Sequence, residues 1–171
     1  APTCSPTRAS MLTGINSLAN GVIRPYANPR TESYGMPLYH KILPEYLLEA
    51  GYQTALSGKW HLGMSSDEYL PSSRGFQQTY GHMNGGIDYY DHSFSGRLDW
   101  HRDNIPLVED GYATNLIANE AIRIIKNKDK NKPLFLYVAF NAPHTPIQVE
   151  NDVMNELLFI EDIDDRRYAA N

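Results

Sequence analysis

Residues 112–146 read YATNLIANEAIRIIKNKDKNKPLFLYVAFNAPHTP, and they contain signals for a helix, a strand and a loop in that order. Apolar residues recur at helical spacing over Tyr112–Asn127, which predicts an amphipathic helix. Pro133 then introduces the near-continuous apolar run Leu134–Phe140, which is typical of a strand that is buried on both faces. The polar, proline-rich residues 141–146 predict a loop. This segment therefore predicts one helix–strand–loop unit.

The same order of elements occurs earlier in the chain. Pro44–Gly51 predicts a short helix, because proline suits the first turn and glycine suits the exit. Tyr52–Ser57 predicts a strand, and a loop follows it. Two such units favour an α/β sheet covered by helices, in which ligands bind beyond the carboxyl ends of the strands. Both strand exits carry groups that could do chemistry, namely Lys59 with His61 and, after the second strand, His144.

The remaining segments give weaker signals. Ala9–Leu12 predicts a short helix, and residues 16–35 predict a loop. Residues 64–109 are rich in Gly, Asp, Ser, Tyr and His without a clear period, which predicts a long irregular region with one hairpin. The acidic run within 161–165 predicts a solvated surface, and residues 166–170 look like the start of a helix.

Composition and charge exclude several classes of protein. The 171 residues suffice for one domain with a core, and a hydrophobic content of 42% with 20% charged residues indicates a folded globular chain. A net charge of −5 offers no basic surface for nucleic acid, so an anionic substrate would need a local positive pocket. No apolar run approaches the ~20 residues of a membrane span. No signal peptide is visible, but the chain does not begin with methionine.

The one cysteine, Cys4, opens the run CSPTRASMLTG at residues 4–14. A lone cysteine is a packing group, a metal ligand or a reactive group. The pattern Cys-x-Pro-x-Arg, followed by Ala-Ser-x-Leu-Thr-Gly, resembles the signature of the type I sulfatases, in which the cysteine is oxidised to formylglycine. Gly58–Gly63, with the sequence GKWHLG, resembles the second signature of that family. It is not a phosphate-binding P-loop, because Trp60 stands where a P-loop needs Ser or Thr.

Further segments extend the resemblance over almost the whole chain. Arg74–Phe76, Gly81 and Asp88–Tyr90 resemble the region after the second signature in the subgroup of arylsulfatases B, I and J. Residues 132–137 and 144–149 resemble the strand and the histidine loop of the same subgroup. The resemblance implies an alkaline-phosphatase-like α/β core, with a mixed, mostly parallel sheet flanked by helices, which is incomplete in this chain.

The resemblance also implies roles for five residues. Cys4 becomes formylglycine, whose hydrate carries two hydroxyls; one attacks sulfur, and the other loses a proton as the aldehyde re-forms and sulfate leaves. Arg8 holds the hydrate, and Lys59 bridges the hydrate and a sulfate oxygen. His61 contacts the hydrate and assists removal of the proton. His144 donates a proton to the leaving-group oxygen as general acid, so Lys59 and His144 also bind substrate.

A calcium ion bound by oxygen ligands is a further implication of the resemblance. Formylglycine at Cys4 would supply one ligand, and the others belong to family segments before the cysteine motif and after the histidine loop. Those segments have no match in residues 1–171. We therefore expect the chain to be the central part of a sulfatase catalytic domain, without its N-terminal strand and C-terminal part. The isolated chain should have an unpaired sheet edge, be poorly stable and be inactive.

The implied function is hydrolysis of sulfate esters, either aryl sulfates or sulfated glycosaminoglycan sugars, in a lysosomal or secreted enzyme. The formylglycine-generating enzyme would be a partner during maturation. Two alternatives remain open. A phosphoester hydrolase of the same superfamily would use Thr or Ser with two zinc ions, and a non-catalytic homologue would only bind sulfated glycans.

Several other side chains are weaker candidates for the site. The histidines of the irregular region could border the substrate pocket; they are His82, His92 and His101. The tyrosines of the same region could stack on sugars, although packing is their commoner role; they are Tyr80, Tyr89 and Tyr90.

Overall fold

The structure is a computed structural model, and it describes residues 3–26 and 35–171. The described chain begins with the helices α1 (Cys4–Thr13), α2 (Ser17–Asn20) and α3 (Leu43–Glu49). Strand β1 (Gln53–Gly58) and two short 3₁₀ helices (Asp67–Tyr69 and Pro71–Arg74) follow. Next come the strands β2 (Gln78–Gly81), β3 (Ser93–Phe94), β4 (Arg97–Leu98), β5 (His101–Arg102) and β6 (Ile105–Pro106). The last elements are α4 (Ala113–Asn127), β7 (Leu134–Ala139), α5 (Asn151–Glu156) and α6 (Ile163–Ala170).

Five of these strands form one mixed sheet in the order β6–β5–β2–β1–β7. Strand β1 lies between β2 and β7 and is parallel to both, with Leu56 opposite Thr79 on one side and Tyr137 on the other. Strands β5 and β6 extend the sheet in antiparallel fashion. Helix α4 contacts β1 and β7, and α3 contacts β1. A helix-covered sheet of this kind confirms the predicted α/β class.

Two clusters of buried side chains join the helices to the sheet. The first joins α1 to β1 and includes Leu12, Ile42, Leu56, Trp60 and Phe76. The second joins β2 to α4 and includes Tyr80, Tyr89, Trp100, Ile117 and Tyr112. Each large apolar side chain that is fully buried contributes ~1.5–3 kcal/mol. The first cluster therefore holds the helix of the cysteine motif firmly against the central strand.

Helix α1 begins earlier than the sequence predicts. It starts at Cys4 rather than at Ala9, and Gly14 ends it with a left-handed φ of 71°. Pro6 is tolerated because the N–H groups of a first helical turn have no partner within the helix. The predicted start of this helix is therefore wrong, and Cys4 is itself a helical residue.

Residues 64–109 contain more regular structure than the sequence predicts. The hairpin of β3 and β4 is confirmed, but β2, β5 and β6 join the main sheet. These three strands are too short to show an alternating pattern. The predicted loop over residues 16–35 contains α2, and its residues 27–34 lie outside the described part of the chain.

Strand β7 is less buried than predicted. Ala139 is its one buried residue, whereas Val138 and the following Phe140 are exposed. Within the described residues β7 pairs only with β1, so it forms an edge of the sheet. Any open sheet has two edge strands, which are β6 and β7 among the described residues, so the edge that the sequence predicts to be left unpaired stays a prediction. The apolar run of β7 is not covered on both faces.

The other predicted elements agree with the structure. Helices α3 and α4 and strand β1 lie close to their predicted positions, and the residues of the acidic run are exposed. Helix α6 includes residues 166–170 but begins at Ile163. In the described ranges, no helix combines the length and apolar character that crossing a bilayer requires.

Candidate active site

The exits of the two parallel strands lie side by side, as the sequence predicts, and α1 contacts both. The backbone N–H of Lys59 donates to the carbonyl oxygen of Ala139 over 2.7 Å, which joins the end of β1 to the end of β7. From α1, Nη1 of Arg8 donates to the carbonyl oxygen of Lys59 over 2.7 Å. The cysteine motif, the second motif and the strand before the histidine loop therefore meet at the carboxyl ends of β1 and β7.

Cys4 lies at the mouth of this arrangement. Its half-buried side chain lines an open cleft of about 340 Å³, together with Arg8, Met11 and Tyr137. Cys4 and Arg8 are four residues apart on α1, so they share one face of the helix. A group at position 4 is therefore both accessible from the cleft and adjacent to a fixed positive charge.

Arg8 is held by a residue that the sequence analysis missed as a site residue. Its Nη1 also donates to the hydroxyl of Tyr137 over 3.0 Å, and its guanidinium lies 6.0 Å from the centre of that ring. Burial lowers the pKa of Arg8, while Tyr137 and Cys4 oppose the change. Tyr137 sits within an apolar strand, so its sequence context indicated packing only.

Lys59 places a second positive charge beside Cys4. Its side chain is only 4% exposed, and Nζ donates to the carbonyl oxygen of Gly85. The pKa of Lys59 is lowered to about 8, mainly by burial and also by the charge of Arg8, while the charge and hydrogen bond of Cys4 oppose the change. Because the ammonium interacts with Cys4, it can reach a group that replaces the thiol.

His61 is positioned as a neutral imidazole. It has a left-handed φ of 55°, and its Nε2 lies 3.1 Å from the carbonyl oxygen of Tyr26. A carbonyl only accepts, so Nε2 carries the proton and Nδ1 keeps a free lone pair. In the described part of the chain, Nδ1 has no hydrogen-bond partner. The pKa of His61 is lowered to about 4, mainly by burial and also by the charges of Lys59 and Arg8, while the hydrogen bond to Tyr26 opposes the change.

His144 meets His61 across two adjacent glycines. A Cβ on Gly85 would lie 2.5 Å from Cε1 of His61, and a Cβ on Gly86 would lie 2.5 Å from Nδ1 of His144. His144 is exposed, and its Nδ1 lies 2.7 Å from the carbonyl oxygen of Thr145. The five predicted site residues thus surround the carboxyl ends of β1 and β7. Sequence reasoning missed the glycine pair, whose only signal was the adjacency of the two glycines.

A buried carboxylate fixes the segment that carries these glycines. Asp99 is fully buried and accepts hydrogen bonds from the backbone N–H of Met83 (3.2 Å) and of Asn84 (2.8 Å). It also accepts one from Nδ2 of Asn84 over 2.8 Å. Burial raises the pKa of Asp99, and the hydrogen bonds from Asn84 and Met83 oppose the change. The sequence analysis did not single out Asp99, because its partners become adjacent only in the folded chain.

Replacing Asp99 with alanine should destabilise the protein. The substitution leaves three buried donors without an acceptor, so we expect the free energy of unfolding to fall by ~2–4 kcal/mol. Urea unfolding of the full-length protein measures the change. Asp152→Ala, at an exposed position of α5, is the matched control and should change the value by less than about 0.5 kcal/mol. Equal losses in the two variants would contradict the role of Asp99.

Most of the weaker candidates pack rather than face the cleft. His82 and His92 are buried and stack on Trp100, with ring centres 6.4 and 4.6 Å from its ring. Burial, together with the charge of Lys59, lowers the pKa of His82 well below its usual value. The other candidates differ in exposure, since Tyr80 and Tyr89 are buried, His101 is half-buried and Tyr90 is exposed.

The described residues do not form a calcium site by themselves. They contain no group of three or more His, Cys, Asp or Glu side chains that could hold a metal ion. The charged groups adjacent to Cys4 are Arg8 and Lys59, which repel a cation and offer it no side-chain oxygen. No chemical step is therefore assigned to a metal.

Comparison with known proteins identifies relatives along the whole chain. The family model described as Sulfatase matches residues 1–162. Arylsulfatase J of Mus musculus is 34% identical over 177 residues, which cover 99% of this chain and 29% of the relative. N-acetylgalactosamine-6-sulfatase of Homo sapiens is 32% identical over 164 residues, which cover 85% of this chain and 31% of the relative. The chain therefore spans less than a third of either relative.

Solved structures show the same arrangement of elements. The crystal structure of Ps i-CgsB in complex with k-i-k-neocarrahexaose matches with a TM-score of 0.86 and 29% identity, over 98% of this chain and 40% of that one. The structure of BT4656 in complex with its substrate D-glucosamine-2-N,6-O-disulfate matches with a TM-score of 0.69 and 31% identity, over 91% of this chain and 28% of that one.

Proposed function

Because the chain belongs to the sulfatase family and has its alkaline-phosphatase-like α/β fold, we propose that residues 1–171 are the central part of a catalytic domain that hydrolyses sulfate esters. One observation carries the proposal. A half-buried Cys4 lies between the cations Arg8 and Lys59. The imidazoles of His61 and His144 lie at the same end of the sheet, beyond the carboxyl ends of β1 and β7.

The two cations suit a reaction that concentrates negative charge. A sulfate ester is anionic, and attack on sulfur places further charge on its oxygens and on the attacking group. Arg8 and Lys59 are already oriented by hydrogen bonds to the Lys59 carbonyl, the Tyr137 hydroxyl and the Gly85 carbonyl. Charges fixed in advance in a partly buried site stabilise a transition state without reorganising.

The position of Cys4 fits a modified side chain that is both nucleophile and leaving group. As formylglycine, it would supply a hydrate with one hydroxyl to attack sulfur and another to expel the sulfate. Arg8 and Lys59 stabilise an ionised oxygen at this position. His61 is neutral, and its free Nδ1 accepts the proton that must be removed before sulfate leaves.

His144 is suited to protonate the leaving group. Its ring is on the exposed side of the site, beside the glycine pair that also contacts His61. The hydroxyl of Tyr89 donates to the backbone oxygen of His144 over 2.9 Å and fixes the loop. Proton donation to the departing alcohol oxygen typically contributes ~10²–10⁴-fold in rate.

The names of the relatives support a sulfated sugar as substrate. One is an N-acetylgalactosamine-6-sulfatase, and the solved structure of another contains D-glucosamine-2-N,6-O-disulfate as its substrate. We assign sulfated glycosaminoglycan sugars as the substrates. The enzyme would be lysosomal or secreted, and the formylglycine-generating enzyme would convert its cysteine. Calcium remains a prediction, and its site requires oxygen ligands in addition to the one that formylglycine at Cys4 would supply.

The rate should depend on pH through Lys59 and His61. The charged form of Lys59 is present below its pKa of about 8, so kcat/KM should fall about tenfold per pH unit above that value. The neutral form of His61 is present above its pKa of about 4, so kcat/KM should also fall as the pH drops below that value. Lys59→Arg keeps the charge at high pH and should remove the alkaline limb. Retention of that limb in the variant would exclude Lys59 as its origin.

The direct test uses the full-length protein, purified with and without co-expression of the formylglycine-generating enzyme. Conversion of the Cys4 thiol to an aldehyde lowers the mass of its peptide by about 18 Da. We expect hydrolysis of 4-nitrophenyl sulfate to increase with the converted fraction, and little hydrolysis of 4-nitrophenyl phosphate. Preference for the phosphate would favour a phosphoester hydrolase. Conversion without any turnover of sulfated sugars would favour a glycan-binding homologue.

A further inference from the structure

A second cavity lies beside the loop that carries His144. Its volume is about 620 Å³, within the ~300–1,000 Å³ range of ligand sites. The residues that matter for its chemistry come from four segments, and they are Tyr90, Gln148, Asn151, Asn155 and Arg167. We call it the Tyr90 cavity. None of these residues has a role in the proposed reaction.

Tyr90 offers a fixed aromatic surface to this cavity. The ring is 46% exposed, whereas the neighbouring Tyr89 is completely buried. The Tyr90 hydroxyl donates to the carbonyl oxygen of Val149 over 3.1 Å, and the ring packs against Tyr112 at a centre-to-centre distance of 5.4 Å. An aromatic ring that is held in place and partly exposed provides a flat apolar surface with little loss of conformational freedom on binding. The C–H face of a pyranose fits such a surface.

The polar lining suits hydroxyl groups and provides one cation, while the carboxylates of Asp88 and Glu150 also interact with Tyr90. Asn151 and Asn155 are exposed amides four residues apart, which places them on one face of the helical turn. Arg167 is the charged member of the lining. It lies 3.3 Å from Asp164, but both side chains are largely exposed, so that pair holds it weakly. Arg167 can therefore turn toward a sulfate or carboxylate.

The cavity and the proposed active site share one loop. Tyr89 donates to the carbonyl oxygen of His144, and Tyr90 donates to that of Val149, so adjacent tyrosines hold the two ends of the loop. Gln148 strengthens the connection, because its Oε1 accepts from the Tyr89 N–H over 2.7 Å. Five residues of extended chain span at most ~17 Å. The wall of the cavity at Val149 therefore lies within the length of a saccharide chain of a few units from His144.

We propose that the Tyr90 cavity binds an anionic sugar unit next to the one whose sulfate ester reacts at Cys4. The inference rests on the proposed function and adds a substrate class to it, namely sulfated oligosaccharides and polymers rather than single sulfated sugars. Tyr90 supports the ring of the neighbouring sugar, the two asparagines contact its hydroxyls, and Arg167 pairs with its acidic group.

Binding to the full-length Cys4→Ala protein tests the proposal without turnover. Calorimetry compares tetrasaccharides of chondroitin 4-sulfate, heparin and ι-carrageenan with the corresponding sulfated monosaccharides. At least one tetrasaccharide should bind at least about tenfold more tightly than its monosaccharide. Arg167→Met should then weaken the binding of that tetrasaccharide by about three- to tenfold and reduce the salt dependence of its Kd. Tyr90→Ala should weaken the binding of the same tetrasaccharide by about five- to thirtyfold.

Matched controls use the same residue types at exposed positions elsewhere. Tyr46→Ala on α3 and Arg97→Met on β4 should change the ratio of tetrasaccharide to monosaccharide affinity by less than about twofold. The proposal is overturned if no tetrasaccharide binds more tightly than its monosaccharide, or if Tyr90→Ala and Arg167→Met leave the ratio unchanged. Hydrolysis of 4-nitrophenyl sulfate by the protein with Cys4 intact tests the proposed function separately, because that ester is too small to reach the cavity.

Discussion

Replacing Cys4 with alanine should lower kcat for sulfate ester hydrolysis by at least about 10⁴-fold, because the side chain that attacks sulfur is removed. The cations and imidazoles around position 4 remain, so the affinity for a sulfated sugar should change far less than the rate. Steady-state assays of the full-length protein measure kcat, and calorimetry measures binding. Leu18→Ala on α2, which is 83% exposed, serves as the control for handling and folding.

Cys4→Ser distinguishes the proposed chemistry from simple loss of a nucleophile. A serine hydroxyl can still accept the sulfate, but it has no second hydroxyl on the same carbon to expel it. We therefore expect one equivalent of alcohol to be released at most, followed by arrest with a sulfated protein that mass spectrometry detects. Continued turnover by Cys4→Ala or Cys4→Ser would rule out formylglycine at this position.

Replacing Lys59 with methionine should lower kcat/KM by about 10²–10³-fold. The ammonium is buried between Cys4 and the carbonyl oxygen of Gly85, and loss of one preorganised donor in such a site typically has an effect of this size. Methionine has a similar length and needs no hydrogen bonds, so the folded state should not suffer from an unpaired charge. The measurement is kcat/KM on a sulfated sugar, with thermal unfolding recorded on the same samples.

Two further variants make the result specific to that ammonium. Lys59→Arg keeps the charge but spreads it over a planar group, so its kcat/KM should lie between those of the wild-type and methionine proteins. Lys41→Met removes a more exposed cation that pairs with Glu49, and it should leave kcat/KM within about twofold. A loss of less than about tenfold in Lys59→Met would show that the ammonium does not stabilise the transition state.

The sequence was sufficient to predict the residues whose chemistry is recognisable in isolation. Cys4 with Arg8, and Lys59 with His61, belong to short motifs, and the structure brings these motifs together as expected. Their catalytic roles remain predictions. The amphipathic pattern of residues 112–127 also carried enough information, because fifteen residues of α4 repeat the same helical spacing.

The parts that could not be predicted depend on contacts between distant segments. Tyr137 is one more aromatic residue of an apolar strand until α1 places Arg8 against its hydroxyl. Asp99 acquires its role only when Met83 and Asn84 fold over it. The sequence predicts too much burial for β7, because an apolar run does not reveal which other segments pack against its two faces.

The glycine pair between the two imidazoles affects how inherited or laboratory variants of this protein should be interpreted. A methyl group at Gly85 or Gly86 would push on His61 or His144 although neither histidine is altered. A missense change at either glycine would therefore resemble the loss of a histidine in a screen, while every ionisable group is still encoded. Libraries built to broaden the range of accepted sugars should leave this dipeptide intact and randomise the surface around Tyr90 instead.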